Sequence, residues 1–559
     1  MLLSIKNLHV SFYNGVSEKE VLTNISLNVE ENEIVGIVGE SGSGKSVTSL
    51  AIMGLLPKKI AKITNGSIQF EEKELLKTTP DEFSKIRGNQ IGMIFQEPMS
   101  SLNPSMKCGD QVAEVLHTHT NLSKSDIKNR VIELFEKVKL PDSRRAFTSY
   151  PHQLSGGQKQ RIMIAMAIAC NPKLLIADEP TTALDVTVQK EIILLLKRLQ
   201  TEFKMSILFI SHDLALISEI ADKVVVMYQG KIVETNKTYQ LFTHPKESYT
   251  KALLYSRPSL SEKKKRLPTV ADYGDTSRDA PVVSAEERKA AHEKLYSQEP
   301  LLEVKNVSKS FYSTLSLFKK KELRAVDQVS FSIYQGETLG LVGESGCGKS
   351  TLGNIILRLT KEDQGSIFYK GKDITFLRGK DLKTFRKEVQ LIFQDPFASL
   401  NPKMTVGDAI MEPMRVHKIY KTKKECQQKT FELLTQVGLD TSHFNRYPHE
   451  FSGGQRQRIG IARTIALQPR LIVCDESVSA LDISVQAQVL NLLNDLKDNY
   501  GFTYIFISHD LAVVKYMSDQ LIVMNNGEVE EKGDAEVIYQ NPEKAYTKKL
   551  IAAIPKGIV

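Results

Sequence analysis

The chain is poor in cysteine and has no long apolar run. Its 559 residues include five cysteines, none in a Cys-x-x-Cys pair, so neither a zinc site nor a redox pair is expected. A sparse, odd set of cysteines is typical of a reducing compartment. No stretch approaches the ~18 uninterrupted apolar residues of a membrane-spanning helix, and the first residues lack the apolar core of a signal peptide. If the protein works at a membrane, we therefore expect it to do so through a partner.

The charge of the chain has no strong bias either. The 74 Lys and Arg against 66 Asp and Glu give a net charge of +8. This mild basicity fits nucleic acid, an anionic membrane surface or no particular partner. The length suggests three or four domains, but a repeated motif reduces this expectation to two large halves.

The repeated motif is a glycine-rich loop at residues 39–46, Gly-Glu-Ser-Gly-Ser-Gly-Lys-Ser, between an apolar run and a helical pattern. This is the context of a phosphate-binding loop. Glycines let backbone N–H groups turn toward phosphate oxygens, and the helix N-terminus adds partial positive charge. We expect Lys45 to reach the β- and γ-phosphates and the Ser46 hydroxyl to bind Mg²⁺.

A second copy of the loop occupies residues 343–350, and Lys349 follows Lys45 by 304 positions. Later motifs recur at a constant offset of 297 positions. A constant offset indicates an internal duplication that preserves the frame of the site. Strands that alternate with helices predict, in each half, an α/β fold with a mostly parallel sheet and helices on both faces.

Residues 258–300 differ from both halves. They contain the basic run Lys263 to Arg266 and several prolines and glycines, which predicts a polar and mostly mobile linker. Ser284 and Glu287 form a capping-box pattern for a short helix that ends near Gln298. The predicted domains are therefore 1–257 and 301–559, joined by this linker.

Two acidic pairs follow apolar runs, Asp178-Glu179 and Asp475-Glu476. The aspartate is placed to hold Mg²⁺, and the glutamate is placed to polarise an attacking water as a general base. Adjacent carboxylates are often only surface charge. The presence of a phosphate loop in each half favours the catalytic interpretation.

Glutamine and histidine residues follow further apolar runs. The amides of Gln96 and Gln394 can bind metal or water, although such a residue alone is more often structural. His212 and His509 each follow the acidic pair's glutamate by 33 positions. This repetition favours a contact with the γ-phosphate over a structural role.

The runs Ser155–Gln158 and Ser452–Gln455, both Ser-Gly-Gly-Gln, each precede a helical pattern. Serine there is a good N-cap, and the free amides of the helix start are able to bind an anion. A plain helix start is the alternative.

The motifs in this order resemble those of ATP-binding cassette (ABC) ATPases, and the resemblance covers both halves. The segments 96–104 and 394–402, and the tails 249–254 and 546–550, resemble those of the ATPase subunits of bacterial dipeptide and oligopeptide importers in a fused form. Departures are small: Ser477 replaces the proline seen at Pro180, and Phe451 replaces Leu154.

The resemblance implies two tandem P-loop NTPase domains, each with a helical subdomain and an antiparallel β subdomain. By the same resemblance, two ATPs with Mg²⁺ would lie between the head-to-tail domains. Phe311 and either Phe12 or its neighbour Tyr13, which the sequence does not separate, would stack on adenine. The first half contributes Phe12, Gly39, Ser41, Gly42, Ser43, Gly44, Lys45, Ser46, Val47, Gln96, Asp178, Glu179 and His212 to one site, closed by Ser452, Gly453, Gly454 and Gln455. The second half contributes Phe311, Gly343, Ser345, Gly346, Cys347, Gly348, Lys349, Ser350, Thr351, Gln394, Asp475, Glu476 and His509 to the other, closed by Ser155, Gly156, Gly157 and Gln158. The implied Mg²⁺ ligands are Ser46, Gln96, Asp178, Ser350, Gln394 and Asp475, and the implied catalytic residues are Glu179, His212, Glu476 and His509.

The implied function is that of an energy-coupling ATPase of a peptide importer. It would act with two transmembrane permease subunits and, through them, an extracytoplasmic binding protein, at the cytoplasmic face of the bacterial inner membrane and without nucleic acid. The alternative is a soluble tandem-cassette ATPase that acts on ribosomes or nucleic acid. A regulatory module without turnover conflicts with two complete acidic pairs. The cysteine pattern predicts no iron–sulfur cluster, and the position of Cys347 predicts that a thiol reagent blocks the second site unless ATP protects it.

Overall fold

The structure is a computed structural model that describes residues 1–559 except 14, 16, 97–100, 183, 260–261, 273–280, 317–318, 480, 556 and 559. The strands of the first half are Leu3–Tyr13, Glu18–Val29, Ile34–Val38, Ala61–Phe70, Lys73–Glu74, Ile91–Ile94, Leu174–Asp178, Ser206–Ile210, Lys223–Tyr228 and Lys231–Lys237. Its α-helices are Lys45–Ile52, Pro80–Ile86, Cys108–His119, Lys124–Lys137, Ser143–Thr148, Gly156–Ala167, Val186–Phe203, Leu214–Ile220, Thr238–Thr243 and Ser248–Tyr255.

The second half repeats this order after the helix Ala285–Tyr296. Its strands are Leu302–Ser316, Lys319–Ile333, Thr338–Val342, Gln364–Tyr369, Lys372–Asp373, Val389–Ile392, Leu471–Asp475, Thr503–Ile507, Gln520–Asn525 and Glu528–Asp534. Its α-helices are Lys349–Ile356, Gly379–Glu388, Pro396–Ser399, Val406–Val416, Lys423–Gln436, Gly453–Ile465, Ile483–Tyr500, Leu511–Met517, Ala535–Gln540 and Ala545–Ala552.

Each half contains a six-stranded sheet and a four-stranded antiparallel sheet. The larger sheet is parallel except at the edge hairpin, which in the first half is Lys223–Tyr228 with Lys231–Lys237. The strand Ile34–Val38, which leads into the phosphate loop, lies between Ser206–Ile210 and Lys223–Tyr228. Because these strands are parallel, their carboxyl ends share one edge of the sheet. The predicted fold class is confirmed.

Alternate residues of the central strands enter two separate cores, which shows that both faces of the sheet are covered. Ile34 and Val38 pack among the helices of one face. Val35 and Ile37 pack against the helix Lys45–Ile52 and the antiparallel sheet on the other face. The strands are therefore apolar on both faces and read as continuous hydrophobic runs.

The linker helix begins where its capping pattern predicts. The Glu287 N–H donates to the Ser284 hydroxyl at 3.1 Å, and the Ser284 N–H donates to the Glu287 carboxylate at 3.2 Å. The helix ends at Tyr296, two residues before the predicted end.

Several described linker residues pack on the second half, whereas the helical turn Val270–Asp272 lies beside the helix Ser248–Tyr255 of the first half. Arg266 donates to both carboxylate oxygens of Asp495 at 3.0 Å. The Leu267 N–H donates to Asn491 at 2.9 Å, and the Asn491 amide donates back to the Leu267 carbonyl at 2.8 Å. The first half has Leu194 and Arg198 at the positions equivalent to Asn491 and Asp495. At these two positions the second half therefore has an amide and a negative charge that can bind the linker residues Arg266 and Leu267, and the first half has neither.

His292 of the linker helix makes this packing dependent on pH. Hydrogen bonds to Asp519 and Asp534 raise the pKa of His292 to about 9, although burial and Arg288 oppose the rise. Because the pKa in the folded state exceeds the ordinary value near 6.5, the stabilisation is complete below pH 6.5 and is lost as the pH rises through about 9. We expect proteases to cut the linker faster at pH 9.5 than at pH 7.

The matched control is His292→Gln, which cannot gain a proton. We expect this variant to be cut faster than the parent chain at pH 7, with little difference between the two chains at pH 9.5. A parent chain whose cleavage ratio to the variant stays constant from pH 7 to pH 9.5 would contradict the role of His292.

Candidate active site

The two phosphate loops close around their own lysines. Lys45 Nζ donates to the carbonyls of Gly39 and Glu40 at 2.7 and 2.9 Å. The second half repeats these contacts, at 2.8 and 3.0 Å, through Lys349, Gly343 and Glu344. Gly44 has a φ of 101°, and a Cβ atom there would lie 2.4 Å from Leu22, so the turn requires glycine. Burial lowers the pKa of Lys45, against the nearby carboxylates.

Other predicted loop residues differ in exposure. Ser41 and Gly42 are exposed, whereas Ser43 is buried and its hydroxyl has no hydrogen-bond partner among the described residues. The side chain of Val47 packs against the core, which leaves only its backbone facing the loop region. In the second loop, Ser345 and Gly346 are exposed in the same way, and Thr351 is half-buried.

Oxygen donors meet beside each loop. The Ser46 hydroxyl donates to Asp178 at 3.2 Å, and the Ser350 hydroxyl donates to Asp475 at 3.0 Å. Burial raises the pKa of both aspartates, opposed by these hydroxyls. A hydroxyl and one carboxylate fit Mg²⁺, which prefers hard oxygen ligands and retains water or phosphate ligands. In the described part of the chain, no group of three or more His, Cys, Asp or Glu side chains is placed to hold a metal ion by itself.

The glutamates of the acidic pairs have a strained backbone and several partners. Glu179 has a φ of 46° and Glu476 a φ of 47°, values that are uncommon outside glycine and cluster at functional sites. The Glu179 carboxylate accepts from Gln96 Nε2 at 3.0 Å and from the Thr182 hydroxyl at 2.8 Å. The Glu476 carboxylate accepts from Gln394 Nε2 at 2.7 Å. Each glutamine therefore keeps its amide oxygen available for a metal or water.

Histidine completes each cluster. His212 Nδ1 lies 3.3 Å from Glu179, and His509 Nδ1 lies 3.5 Å from Glu476. Burial alone raises the pKa of Glu179, but the His212 hydrogen bond and charge, with Thr182 and Lys45, outweigh it and lower the pKa to about 2. The pKa of His212 is lowered by burial and raised more strongly by Glu179, with a net rise. The structure thus brings together Gln, Glu and His from three strand ends, as the sequence predicts.

The two clusters differ in one hydroxyl. Thr182 donates to the Glu179 carboxylate, whereas Ser479, at the equivalent position of the second half, donates to the Glu476 backbone carbonyl at 2.9 Å. The Glu476 carboxylate therefore lacks this one neutral donor, and the two sites are chemically close but not identical.

The Ser-Gly-Gly-Gln runs begin helices, and both serines are N-caps as predicted. The Gln158 N–H donates to the Ser155 hydroxyl at 3.3 Å, and the Gln158 side chain accepts from the Ser155 N–H at 3.1 Å. A Cβ atom at Gly157 would lie 2.8 Å from Val188, so this glycine allows close packing on the next long helix. Ser452, Gly453, Gly454 and Gln455 repeat the arrangement.

Each phosphate loop touches the opposite half. The Ser41 N–H donates to the Asp482 carboxylate at 3.3 Å, and the Ser345 N–H donates to Asp185 at 3.5 Å. These aspartates cap the helices Ile483–Tyr500 and Val186–Phe203. Ala183 and Ala480, each two residues before one of these aspartates, lie outside the described residues. The reciprocal contacts show a head-to-tail pair of halves.

The aromatic residues predicted to stack on adenine have different surroundings. Phe12 is half-buried and packs against the core under the antiparallel sheet. Phe311 is 44% exposed, with Lys309 Nζ 5.7 Å from the centre of its ring. The neighbouring Tyr13 and Tyr312 are more exposed, at 52% and 66%.

Cys347 does not have the environment of a reactive thiol. It is 6% exposed, and burial raises its pKa despite Lys349 nearby. Since the thiolate is the nucleophile, this burial argues against the block of the second site by a thiol reagent, which stays a prediction. We now expect a thiol reagent to label the half-buried Cys170 before Cys347, as measured by mass spectrometry of the labelled peptides. Rapid labelling of Cys347 that ATP prevents would restore the original expectation.

Comparison with known proteins finds the same family in both halves of the chain. The family model described as ABC transporter matches residues 22–182 and 326–479. The model described as oligopeptide/dipeptide transporter, C-terminal region, matches residues 233–281.

Two similar curated relatives are glutathione import ATP-binding proteins named GsiA. That of Escherichia coli strain CFT073 is 43% identical, and that of Salmonella typhimurium strain LT2 is 44% identical. Both alignments cover 99% of this chain and 89% of the relative. A solved dimeric ATP-binding cassette with ADP and Pi covers 42% of this chain and 98% of its own, with 28% identity and a TM-score of 0.39.

Proposed function

Since the chain belongs to the ABC transporter family, we propose that it is the ATP-hydrolysing, energy-coupling subunit of an importer of peptides, with glutathione-like peptides as the first candidates. The observation that carries the proposal is the full-length likeness to import ATP-binding proteins. The match to the oligopeptide and dipeptide transporter region agrees with it. We propose residues 1–257 and 301–559 as the two cassettes and 258–300 as their connection.

Each candidate site suits hydrolysis of a nucleoside triphosphate. Lys45 and the loop amides face the place of the phosphates, and Ser46, Asp178 and Gln96 would hold Mg²⁺, which neutralises charge on the phosphate oxygens. Glu179 is ionised at neutral pH because its pKa is about 2.

As an ionised carboxylate, Glu179 would orient and polarise the attacking water as a general base. His212, whose pKa Glu179 raises against the effect of burial, lies beside the same carboxylate. The second half repeats these roles through Lys349, Ser350, Gln394, Asp475, Glu476 and His509. Asp482 and Asp185 join each loop to the opposite half, so that binding of nucleotide and closure of the pair are coupled.

The proposed partners are two transmembrane permease subunits, and through them an extracytoplasmic binding protein. A groove lies near each of the strands Ile91–Ile94 and Val389–Ile392, which Gln96 and Gln394 follow. Phe393 and Val416, 45% and 52% exposed, line that of the second half. Arg87 and His119 line that of the first half. We propose that the segments 96–104 and 394–402 dock these subunits. Residues 97–100 of the first segment lie outside the described residues.

In the described part of the chain, no helix has the length and apolarity that a membrane crossing needs. We propose a peripheral position at the cytoplasmic face of the bacterial inner membrane, reached through the permease subunits. This position follows from the proposed partners alone. The alternative, a soluble ATPase on ribosomes or nucleic acid, has no support among the matched import proteins.

A gentle pull-down of the tagged chain from membranes, with protein identification, tests the proposal. We expect two multi-span membrane proteins at one copy each, and their binding protein then leads to the cargo. Ribosomal proteins or RNA without a membrane partner would instead support the alternative.

A further inference from the structure

A tyrosine from the tail of each half contacts the phosphate loop of the same half. The Tyr249 hydroxyl accepts from the Glu40 N–H at 3.1 Å, and the Tyr546 hydroxyl accepts from the Glu344 N–H at 3.0 Å. The two tyrosines are 297 positions apart, the offset of the catalytic motifs. The contact is therefore part of the duplicated frame.

The helices that carry these tyrosines are fixed at their starts. The Glu234 carboxylate, on the edge strand of the sheet, accepts from the backbone N–H groups of Lys246 and Glu247 at 3.0 and 3.1 Å. Glu531 makes the same pair of contacts in the second half, with Glu543 and Lys544, at 2.9 and 3.2 Å. Each tyrosine thus projects from a helix whose first turn is tied to the sheet.

The glutamates that the tyrosines hold reach across to the opposite half. The Ser484 hydroxyl donates to the Glu40 carboxylate, and the Thr187 hydroxyl donates to the Glu344 carboxylate at 2.9 Å. Ser484 and Thr187 are buried and lie two residues after the aspartates that contact the loops. The loop glutamate, Glu40 or Glu344, therefore has its backbone N–H bound by its own half and its carboxylate bound by the opposite half.

We propose that Tyr249 and Tyr546 are positioning residues for ATP hydrolysis. Each hydroxyl fixes the backbone of the loop glutamate, so that the carboxylate meets the hydroxyl of the opposite half when the two halves close. Without the tyrosine hydroxyl, the glutamate N–H loses its acceptor and the first turn of the loop is free to rotate. Closure then becomes less favourable, while the binding of ATP to one open half is unchanged.

The test uses the full chain with Tyr249→Phe and Tyr546→Phe together. We expect kcat to fall about fivefold, as for the loss of one hydrogen bond per site, while the affinity for ATP measured without Mg²⁺ stays the same. The matched control is Tyr228→Phe. The Tyr228 ring packs against that of Tyr249 at a tilt, with ring centres 4.2 Å apart, and its hydroxyl accepts from Gln229 rather than from the loop.

A double-mutant cycle separates positioning from a general loss of packing. Because Tyr249 and Ser484 act on the same glutamate, Ser484→Ala should lower kcat and should add little to Tyr249→Phe. An unchanged kcat in the tyrosine variants would overturn the proposal. So would an equal effect of Tyr228→Phe, or effects of Tyr249→Phe and Ser484→Ala that multiply.

Discussion

Replacing Glu179 or Glu476 by glutamine is expected to slow ATP turnover by well over tenfold in each single variant, since a positioned general base contributes about 10²–10⁴-fold. An amide keeps the size of the side chain but cannot polarise water as a carboxylate does. The pKa of Glu179, about 2, places the full negative charge at the site across the working pH range. Binding of ATP should persist, because Lys45 and the loop are intact.

The measurement is steady-state ATPase activity together with the amount of ATP retained by each variant. Glu133→Gln is a suitable control, because Glu133 pairs only with Arg130 and Lys137 among the described ion pairs and is half exposed. Near-normal turnover in one of the two site variants would show that the sites are not equivalent. Glu476 is then the glutamate to suspect, because it lacks the hydroxyl that Thr182 gives to Glu179.

The sequence predicted the fold and the clusters because their determinants are local. Glycine loops, capping serines and acidic pairs each follow a strand or begin a helix, and parallel strands bring their carboxyl ends to one edge. Because the chain is duplicated, each motif occurs twice, and the second copy supports the interpretation of the first. The positive φ of Glu179 and Glu476 has no such signal, since nothing in a glutamate's neighbours specifies the left-handed region.

Contacts between distant segments were not predictable in this way. Arg266 and Asp495 are 229 positions apart, and a basic run has the same appearance in sequence whether it is solvated or paired. The roles of Glu40 and Tyr249 likewise depend on the juxtaposition of two halves and a tail helix. The burial of Cys347 was likewise not evident from its position in a loop.

The second large prediction concerns the helix start of each half, which we propose closes over the phosphate loop of the opposite half. An arginine at Ser452 should block the site of Lys45, and an arginine at Ser155 should block the site of Lys349, because each helix start faces the loop of the other half. The contacts of Asp482 with Ser41 and of Asp185 with Ser345 support this pairing. We expect each substitution to reduce ATPase activity at least about tenfold, since a bulky cation would prevent closure over the triphosphate.

Combination with Glu179→Gln identifies which loop each serine serves. If Ser452 and Glu179 act at one site, Ser452→Arg should add little to Glu179→Gln, because a site that is already inactive cannot lose further turnover. Ser155→Arg inactivates the other site, so its combination with Glu179→Gln should remove the remaining activity. The reverse pattern would mean that each half closes over its own nucleotide, and the contacts of Asp185 and Asp482 would then be structural only.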